Sequence, residues 1–511
     1  LDEPTAFFKE LPNQKLENVH PHATLLLQME TEERFAQYRA LVRQSFARSH
    51  SVVFIVPTHL EVEKAREELS TGIAEFVYPF SLQYKKGAKE SWSAALLEPH
   101  PTLFITTPAG LSFCRKDIGM IIMERENSRA YRTFAHPYIH FKTFIEKLAK
   151  FGEKQLVLGD SILSLETLWK EKRGDYGEST LVRWRLPAVT TTLADSSSKQ
   201  NESGRFEIFS QELEDMITKA LVENDKIFLF GARKGLAPTT ICGDCGTALP
   251  CHACGSPVVL HLREIGLDGS KSNVYICHAC GETRDSTTTC GYCGSWKLVP
   301  LGIGTQEIAR AAKELFPKVN IQILDKNHAP TEKAALKIIR KFEEVGGILV
   351  GTELAFFHLD KVPYTGLVSA DALFSIPDFA VSERIFYLVS HLREIASKEV
   401  VIQTRNIGKQ VISWAVQGNI IDFYSNEIAE RETLLYPPFA IFIKITSLAR
   451  VRREQEIEKL KPVFAKWQPD TLKDSLIIRV PREFWPDREL SDQLALLGRE
   501  FSSKVDPESI L

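Results

Sequence analysis

Residues 226–257, KIFLFGARKGLAPTTICGDCGTALPCHACGSP, begin as an apolar strand and end in two Cys-x-x-Cys pairs. Two more pairs follow, CHAC at 277–280 and CGYC at 290–293, before the chain returns to strand and helix patterns in TQEIARAAKELF (305–316) and IQILD (321–325). The reading is an α/β unit interrupted by a cysteine-rich insertion. Eight of the nine cysteines lie in that insertion: Cys242, Cys245, Cys251, Cys254, Cys277, Cys280, Cys290 and Cys293. A Cys-x-x-Cys turn sets two thiolates at the bite of one ion, and two such turns close a tetrahedral four-cysteine site. Gly246, Gly255, Gly281 and Gly294 each follow a second cysteine, where such turns often need positive φ. Disulfides, a redox pair and an iron–sulfur cluster are the competing uses, and the density of spaced pairs favours two four-cysteine zinc sites. Four knuckles can pair in three ways, and spacing does not choose among them. A closed four-cysteine site is structural, so the chemistry of the chain must be sought elsewhere. His252, His261 and His278 are surplus to eight thiolates, and the lone Cys114 reads as a small buried hydrophobe.

Outward from the insertion, GGILVGT (346–352), TGLVSADA (365–372) and EVVIQT (399–404) continue the strand series, with a helix at 331–344. Upstream, SVVFIVP (51–57), TLFITTP (102–108), GMIIM (119–123) and KQLVLGD (154–160) are apolar runs of strand length, with amphipathic stretches at 59–73 and 140–151 between them. Both series predict a doubly wound α/β sheet. ADSSSKQNESG (194–204) reads as a linker. After YPPF (436–439), strands at 441–447 and 476–480 and a helix near 489–501 predict a small α+β domain.

The 511 residues carry 63 Lys+Arg against 66 Asp+Glu, a net charge of −3, so any nucleic-acid contact must use local basic patches. No apolar run is long enough for a membrane span, and residues 1–14, LDEPTAFFKELPNQ, lack the basic and apolar segments of a secretory signal.

The stretch 226–307 closely resembles the primosomal protein N-prime family in its strand, its first knuckle, and its last knuckle running through CGSWKLVPLGIGTQEI into a Gly-x-Gly-Thr segment. FIVPTHL (54–60), FITTPAGL (104–111), GMIIMEREN (119–127), LVLGDSILSLET (156–167), PDFAVSERIFYLVSH (377–391), LLYPPF (434–439) and VDPESIL (505–511) follow that family's segments in order. The resemblance implies a superfamily 2 DNA helicase with two RecA-like lobes, a double four-cysteine zinc insertion in lobe two, a small α+β C-terminal domain, ATP-driven 3′ to 5′ unwinding and a role in replication restart. It divides the chain into a tail (1–20), lobe one (21–180), a linker and start of lobe two (181–241), the two-zinc domain (242–300), the rest of lobe two (301–435) and the C-terminal domain (436–511). It also implies that the outer knuckles, Cys242, Cys245, Cys290 and Cys293, hold one zinc and the inner ones, Cys251, Cys254, Cys277 and Cys280, the other. Expected partners are forked or single-stranded DNA, single-strand-binding protein and other primosome proteins, in the cytoplasm and without a membrane. Counterparts of the family's N-terminal DNA-binding domain and winged helix are expected to be missing from this sequence.

Several family motifs are altered. The Gly-x-Gly-Lys-Thr phosphate loop is replaced by LLLQMETEERFAQY (25–38), which has neither Gly nor Lys and places Glu30, Glu32 and Glu33 where a triphosphate would sit. Asp-Glu-x-His becomes Glu124-Arg125-Glu126-Asn127, and an arginine cannot be the water-activating base. The arginine-finger segment is replaced by HLREIASK (391–398), with Arg393 a remnant out of register, and GTELAFFHLD (351–360) lacks its Lys-Gly. The expectation is a zinc-binding DNA or primosome-partner protein in which the family's ATP and Mg2+ are not used efficiently. The alternatives are an active ATP-dependent 3′ to 5′ helicase and a zinc-dependent protein-interaction scaffold. Candidate DNA contacts are Arg129, Tyr131, Arg132, Phe134 and Tyr138 in SRAYRTFAHPYIHFK (128–142), with Arg233 and Lys234 in GARKG. Each has a bland counterpart, core packing for the aromatics and a solvated turn for Arg233 and Lys234.

Overall fold

The computed structural model describes residues 24–83, 87–133, 138–176, 180–182, 189–196, 208–231, 239–242, 244, 249–252, 258–264, 271–277, 282–285, 287–301, 304–374, 378–448, 453–472 and 475–507. The chain forms two compact units, Leu1–Leu186 and Pro187–Leu511.

The first unit alternates strand and helix: β1 (Leu25–Gln28), α1 (Thr31–Ala47), β2 (Ser51–Ile55), α2 (His59–Leu69), β3 (Val77–Phe80), α3 (Ala88–Leu97), β4 (Leu103–Thr106), β5 (Ile118–Glu124), α4 (Phe141–Phe151), β6 (Gln155–Asp160), α5 (Leu165–Lys172) and β7 (Thr180–Val182). The strands pair in the order β3-β4-β2-β5-β6-β1-β7, all parallel. Strands such as β2 are buried on both faces, which is why they read as unbroken apolar runs. Ser164 caps α5 by accepting from Thr167 N. Phe35, Tyr38 and Leu41 of α1 pack with Phe54, Ile105 and Ile122 of the sheet in one core.

The second unit opens with β8 (Thr190–Asp195), α6 (Gln211–Val222) and β9 (Ile227–Phe230), then β10 (Thr239–Cys242), β11 (Val258–Glu264), β12 (Lys271–Cys277), β13 (Thr283–Arg284) and β14 (Leu298–Leu301). It continues with α7 (Thr305–Leu315), β15 (Ile321–Leu324), α8 (Glu332–Val345), β16 (Ile348–Gly351), β17 (Val362–Leu367), α9 (Asp371–Phe374), α10 (Val381–Ile395), β18 (Ala396–Thr404), α11 (Gln410–Gln417) and α12 (Ile420–Thr433). Its main sheet, β15-β16-β9-β17-β18-β8, is also wholly parallel. The cysteine-rich insertion leaves after β9 as two small antiparallel sheets, β10-β14 and β11-β12-β13. The last elements are β19 (Ala440–Ser447), α13 (Arg453–Leu460), β20 (Asp470–Leu472), β21 (Ser475–Pro481), α14 (Arg488–Ala495) and β22 (Phe501–Val505), in an antiparallel sheet β20-β21-β19-β22. Ile443, Ile445, Ile457, Leu476, Ile478 and Leu490 form its core.

Three local expectations are corrected. Ala194 and Asp195 are not linker: they end β8, opposite Gln403 and Thr404 of β18. The β-branched run TTTLAD suits a sheet edge despite its polarity. The helix expected near 489–501 is α14, which ends at Ala495, and Phe501 already belongs to β22. Cys114 is exposed, not buried. Among the described residues no helix is long and apolar enough to cross a membrane.

Candidate functional site

In an open parallel sheet, ligands bind beyond the C-terminal strand ends where the strand order reverses. In the first unit that edge brings together Gln28, Asp160 and Glu124, with Gln28 opposite Asp160 and Glu124 opposite Gly159. Only Met29 and Glu30 connect β1 to α1. A phosphate loop needs a longer glycine-rich segment to aim several N–H groups inward, and two residues cannot form one. Glu32 and Glu33 occupy the first turn of α1, so the helix N-terminus is complemented by its own carboxylates.

Arg34, one turn into α1, fills the space beyond. Its Nε and Nη2 donate to the two carboxylate oxygens of Glu124 at 2.8 and 2.6 Å, and Nη1 donates to Met29 O at 2.6 Å. Both side chains are nearly inaccessible, at 2% and 4% exposure. Tyr38 donates to the same carboxylate at 2.7 Å. Gly159 makes room for this: a Cβ there would stand 1.8 Å from Tyr38 Oη. Glu124 is therefore committed to two internal donors. Arg125, the next residue, has φ 53° and pairs with Glu61 of α2 at 3.1 Å. Burial raises the Glu61 carboxyl above its ordinary range, with Arg125 opposing.

A second cluster adjoins the first. Lys142 of α4 pairs with Glu126 at 2.5 Å and donates to Ser164 Oγ at 2.7 Å and to Thr167 Oγ1. Glu126 also accepts from Ser164 N and Oγ. Asp160 accepts from Asn127 N at 3.0 Å and Ser161 N at 2.7 Å. Burial, opposed by Arg34 and reinforced by Glu126 and Glu124, pushes the Asp160 carboxyl up to about 7. The folded chain thus holds this proton more tightly than the unfolded chain, whose ordinary value is 3.8. Stability from this group is highest below the unfolded value, falls as pH rises toward about 7, and is level above that. Urea midpoints of the wild type are expected to drop between about pH 5 and pH 7, with a shallower drop in Asp160→Asn.

Tyr131 is corrected as a DNA contact. It is 1% exposed, and its hydroxyl donates to Glu124 O and Ile55 O at 2.7 and 3.1 Å, so its ring cannot meet a base. Arg129 and Arg132 are half-buried beside it, and Tyr138 is exposed. Phe134, Arg233 and Lys234 lie outside the described residues. Arg393 is no arginine finger: at 5% exposure on α10, its Nη1 donates to Ala415 O at 3.1 Å and to Val416 O, capping the C-terminus of α11. In GTELAFFHLD (351–360), Glu353 pairs with Arg384 at 2.7 Å.

In the insertion, β10 pairs with β14 and sets Cys242 opposite Leu298, which carries the first knuckle to the last. The sulfurs of Cys242, Cys290 and Cys293 all lie within 4.8 Å of one another, and Cys242 and Cys293 are 3.4 Å apart. Four thiolates around one zinc at about 2.3 Å would stand about 3.8 Å apart, so this spacing fits a shared ion. Asp244 ties the two knuckles further, accepting from Ser295 Oγ at 2.6 Å and pairing with Lys297 at 3.1 Å. Of the three pairings open from spacing, the first knuckle meets the last. Cys251 and Cys277 are buried in the same small core. Glu282 links them, accepting from Cys251 Sγ through its carboxylate and from Cys277 N through its backbone oxygen. Cys245, Cys254 and Cys280 lie outside the described residues.

The first unit is thus a wholly parallel α/β sheet with acidic residues at its C-terminal strand edge, and the second a wholly parallel sheet carrying a cysteine-rich insertion. No family model matches the chain. The replication restart protein PriA of Treponema pallidum is 26% identical over 423 residues, covering 80% of this chain and 61% of its own. PriA of Bacillus subtilis is 27% identical over 343 residues (65% and 41%), and that of Haemophilus influenzae 26% over 360 (68% and 47%). In sequence the chain is similar to these PriA proteins, and it spans about half the length of the curated relatives it matches. Among solved structures, the DUF1998 helicase MrfA bound to DNA and AMPPNP is similar at a TM-score of 0.41 and 10% identity, covering 78% of this chain and 48% of its own. Dbp5 of S. cerevisiae bound to RNA and ADP BeF3 is similar at 0.43 and 8%, covering 80% and 89%. At that distance neither bears on the chemistry of this chain.

Proposed function

We propose that the chain is a PriA-like replication-restart protein that binds DNA or primosome partners, carries two structural zincs and does not hydrolyse ATP efficiently. The relatives named PriA support the restart role and DNA as partner. The observation that carries the loss of hydrolysis is the Arg34–Glu124 pair, which fills the place of phosphate and metal with an internal cation. Phosphoryl transfer is almost entirely positioning and charge stabilisation. A site whose acid is already neutralised, whose loop is two residues long and whose base position holds Arg125 supplies neither.

The two lobes are assigned to 21–180 and to 181–241 with 301–435, the two-zinc domain to 242–300 and the C-terminal domain to 436–511. Cys242, Cys245, Cys290 and Cys293 would hold one zinc, and Cys251, Cys254, Cys277 and Cys280 the other, as scaffolding without a catalytic step. Arg129, Arg132, Phe134, Tyr138, Arg233 and Lys234 remain the DNA candidates from the sequence, and the cytoplasm the expected compartment. Fluorescence anisotropy with forked DNA tests the reading: saturable binding at low salt, unaltered by ATP and magnesium, is expected. An absence of binding, or DNA-stimulated turnover at about 1 s⁻¹ or faster, would overturn it.

A further inference from the structure

Tyr292 and Trp296, in CGYCGSWK (290–297), are 81% and 76% exposed. Among the described residues Trp296 is the one exposed tryptophan, and neither ring has an aromatic or cation–π partner. Their backbone, in contrast, is pinned. Cys290 N donates to Ser295 O and Gly294 N to Cys290 O, both at 2.8 Å, with Gly294 at φ 75°. Lys297 N donates to Ser295 Oγ at 3.1 Å, and Asp244 anchors both Ser295 and Lys297. Within the segment the other residues are Cys290, Gly291, Cys293, Gly294, Ser295 and Lys297, none of them an exposed aliphatic side chain. A protein-docking patch would enlist aliphatic neighbours around its aromatics. Two exposed rings on a backbone-pinned loop, with small residues between them and Lys297 held to Asp244 beside them, suit unpaired bases, since every base offers a π-face.

We propose that Tyr292 and Trp296 form a stacking platform for the unpaired bases of single-stranded DNA. The platform rests on the DNA-binding reading above and adds the kind of DNA recognised and the surface that recognises it. Both rings point to solvent, so their loss leaves the knuckle's hydrogen bonds intact.

The test uses the full zinc-loaded chain, with fluorescein-labelled oligo(dT) and a blunt duplex of equal length. Tyr292→Ala and Trp296→Ala are each expected to weaken oligo(dT) binding roughly 5- to 150-fold, the range for losing one stacked base, while duplex binding holds. Trp296→Phe should retain affinity, because a stacking face remains, yet lose part of the tryptophan quenching that oligo(dT) causes in the wild type. Zinc content and melting temperature should match the wild type in every variant. A double alanine variant that binds oligo(dT) as tightly as the wild type would overturn the platform and leave the rings to a protein partner. An equal loss on duplex would overturn it as well. A wild type that binds neither DNA would overturn the DNA-binding reading itself, a distinguishable failure.

Discussion

Replacing Arg34 with Met is expected to destabilise the first unit by about 3–5 kcal/mol, the range for stranding one member of a buried ion pair. The substitution keeps the length of the side chain but removes the donors that Glu124 and Met29 O now use. Glu124 would then be left at 4% exposure with Tyr38 as its remaining side-chain donor. Glu124→Gln strands the guanidinium instead and should cost a similar amount. The double variant is expected to cost much less than the sum, since neither charge is then unpaired, and the shortfall measures the coupling. Urea unfolding of the full chain, followed by circular dichroism, reads all three. Additive losses would show that the two side chains do not act as one element.

The second large effect concerns the metal. Structural zinc can contribute about 10–16 kcal/mol of apparent folding free energy in small domains, so each four-cysteine site should be essential to its part of the insertion. Cys242→Ser is expected to lower zinc content by one ion, because the Cys242, Cys290 and Cys293 sulfurs cluster. Cys290→Ser should remove the same ion, and Cys277→Ser the other. Combining Cys242→Ser with Cys290→Ser should therefore still leave one zinc, whereas combining Cys242→Ser with Cys277→Ser should leave none. Elemental analysis of purified variants reads this directly. One zinc remaining in the second combination and none in the first would reverse the pairing of the knuckles.

Much of the fold was legible because its strands are buried on both faces. Runs such as SVVFI and LFIT carry no polar residue that requires water, and both are interior strands of the first sheet. β8 was hidden because three threonines precede a polar stretch, and only its pairing with β18 marks it as strand. That LLLQMETEERFAQY holds neither Gly nor Lys was visible in the sequence, but the ion pair beside it was not. Arg34 and Glu124 lie 90 residues apart, and no local pattern joins them. Tyr131 was misread for a related reason: an aromatic among arginines looks exposed until its hydroxyl is seen to bond two strand carbonyls. The knuckle pairing was similarly hidden, because it is set by β10 meeting β14 across the insertion.

Isothermal titration of the wild-type chain with ATP and magnesium is the most direct measurement. With Arg34 seated on Glu124 and only Met29 and Glu30 between β1 and α1, no saturable heat is expected at millimolar nucleotide. A one-site isotherm with a micromolar dissociation constant, weakened by Glu124→Gln, would contradict this account of the first unit.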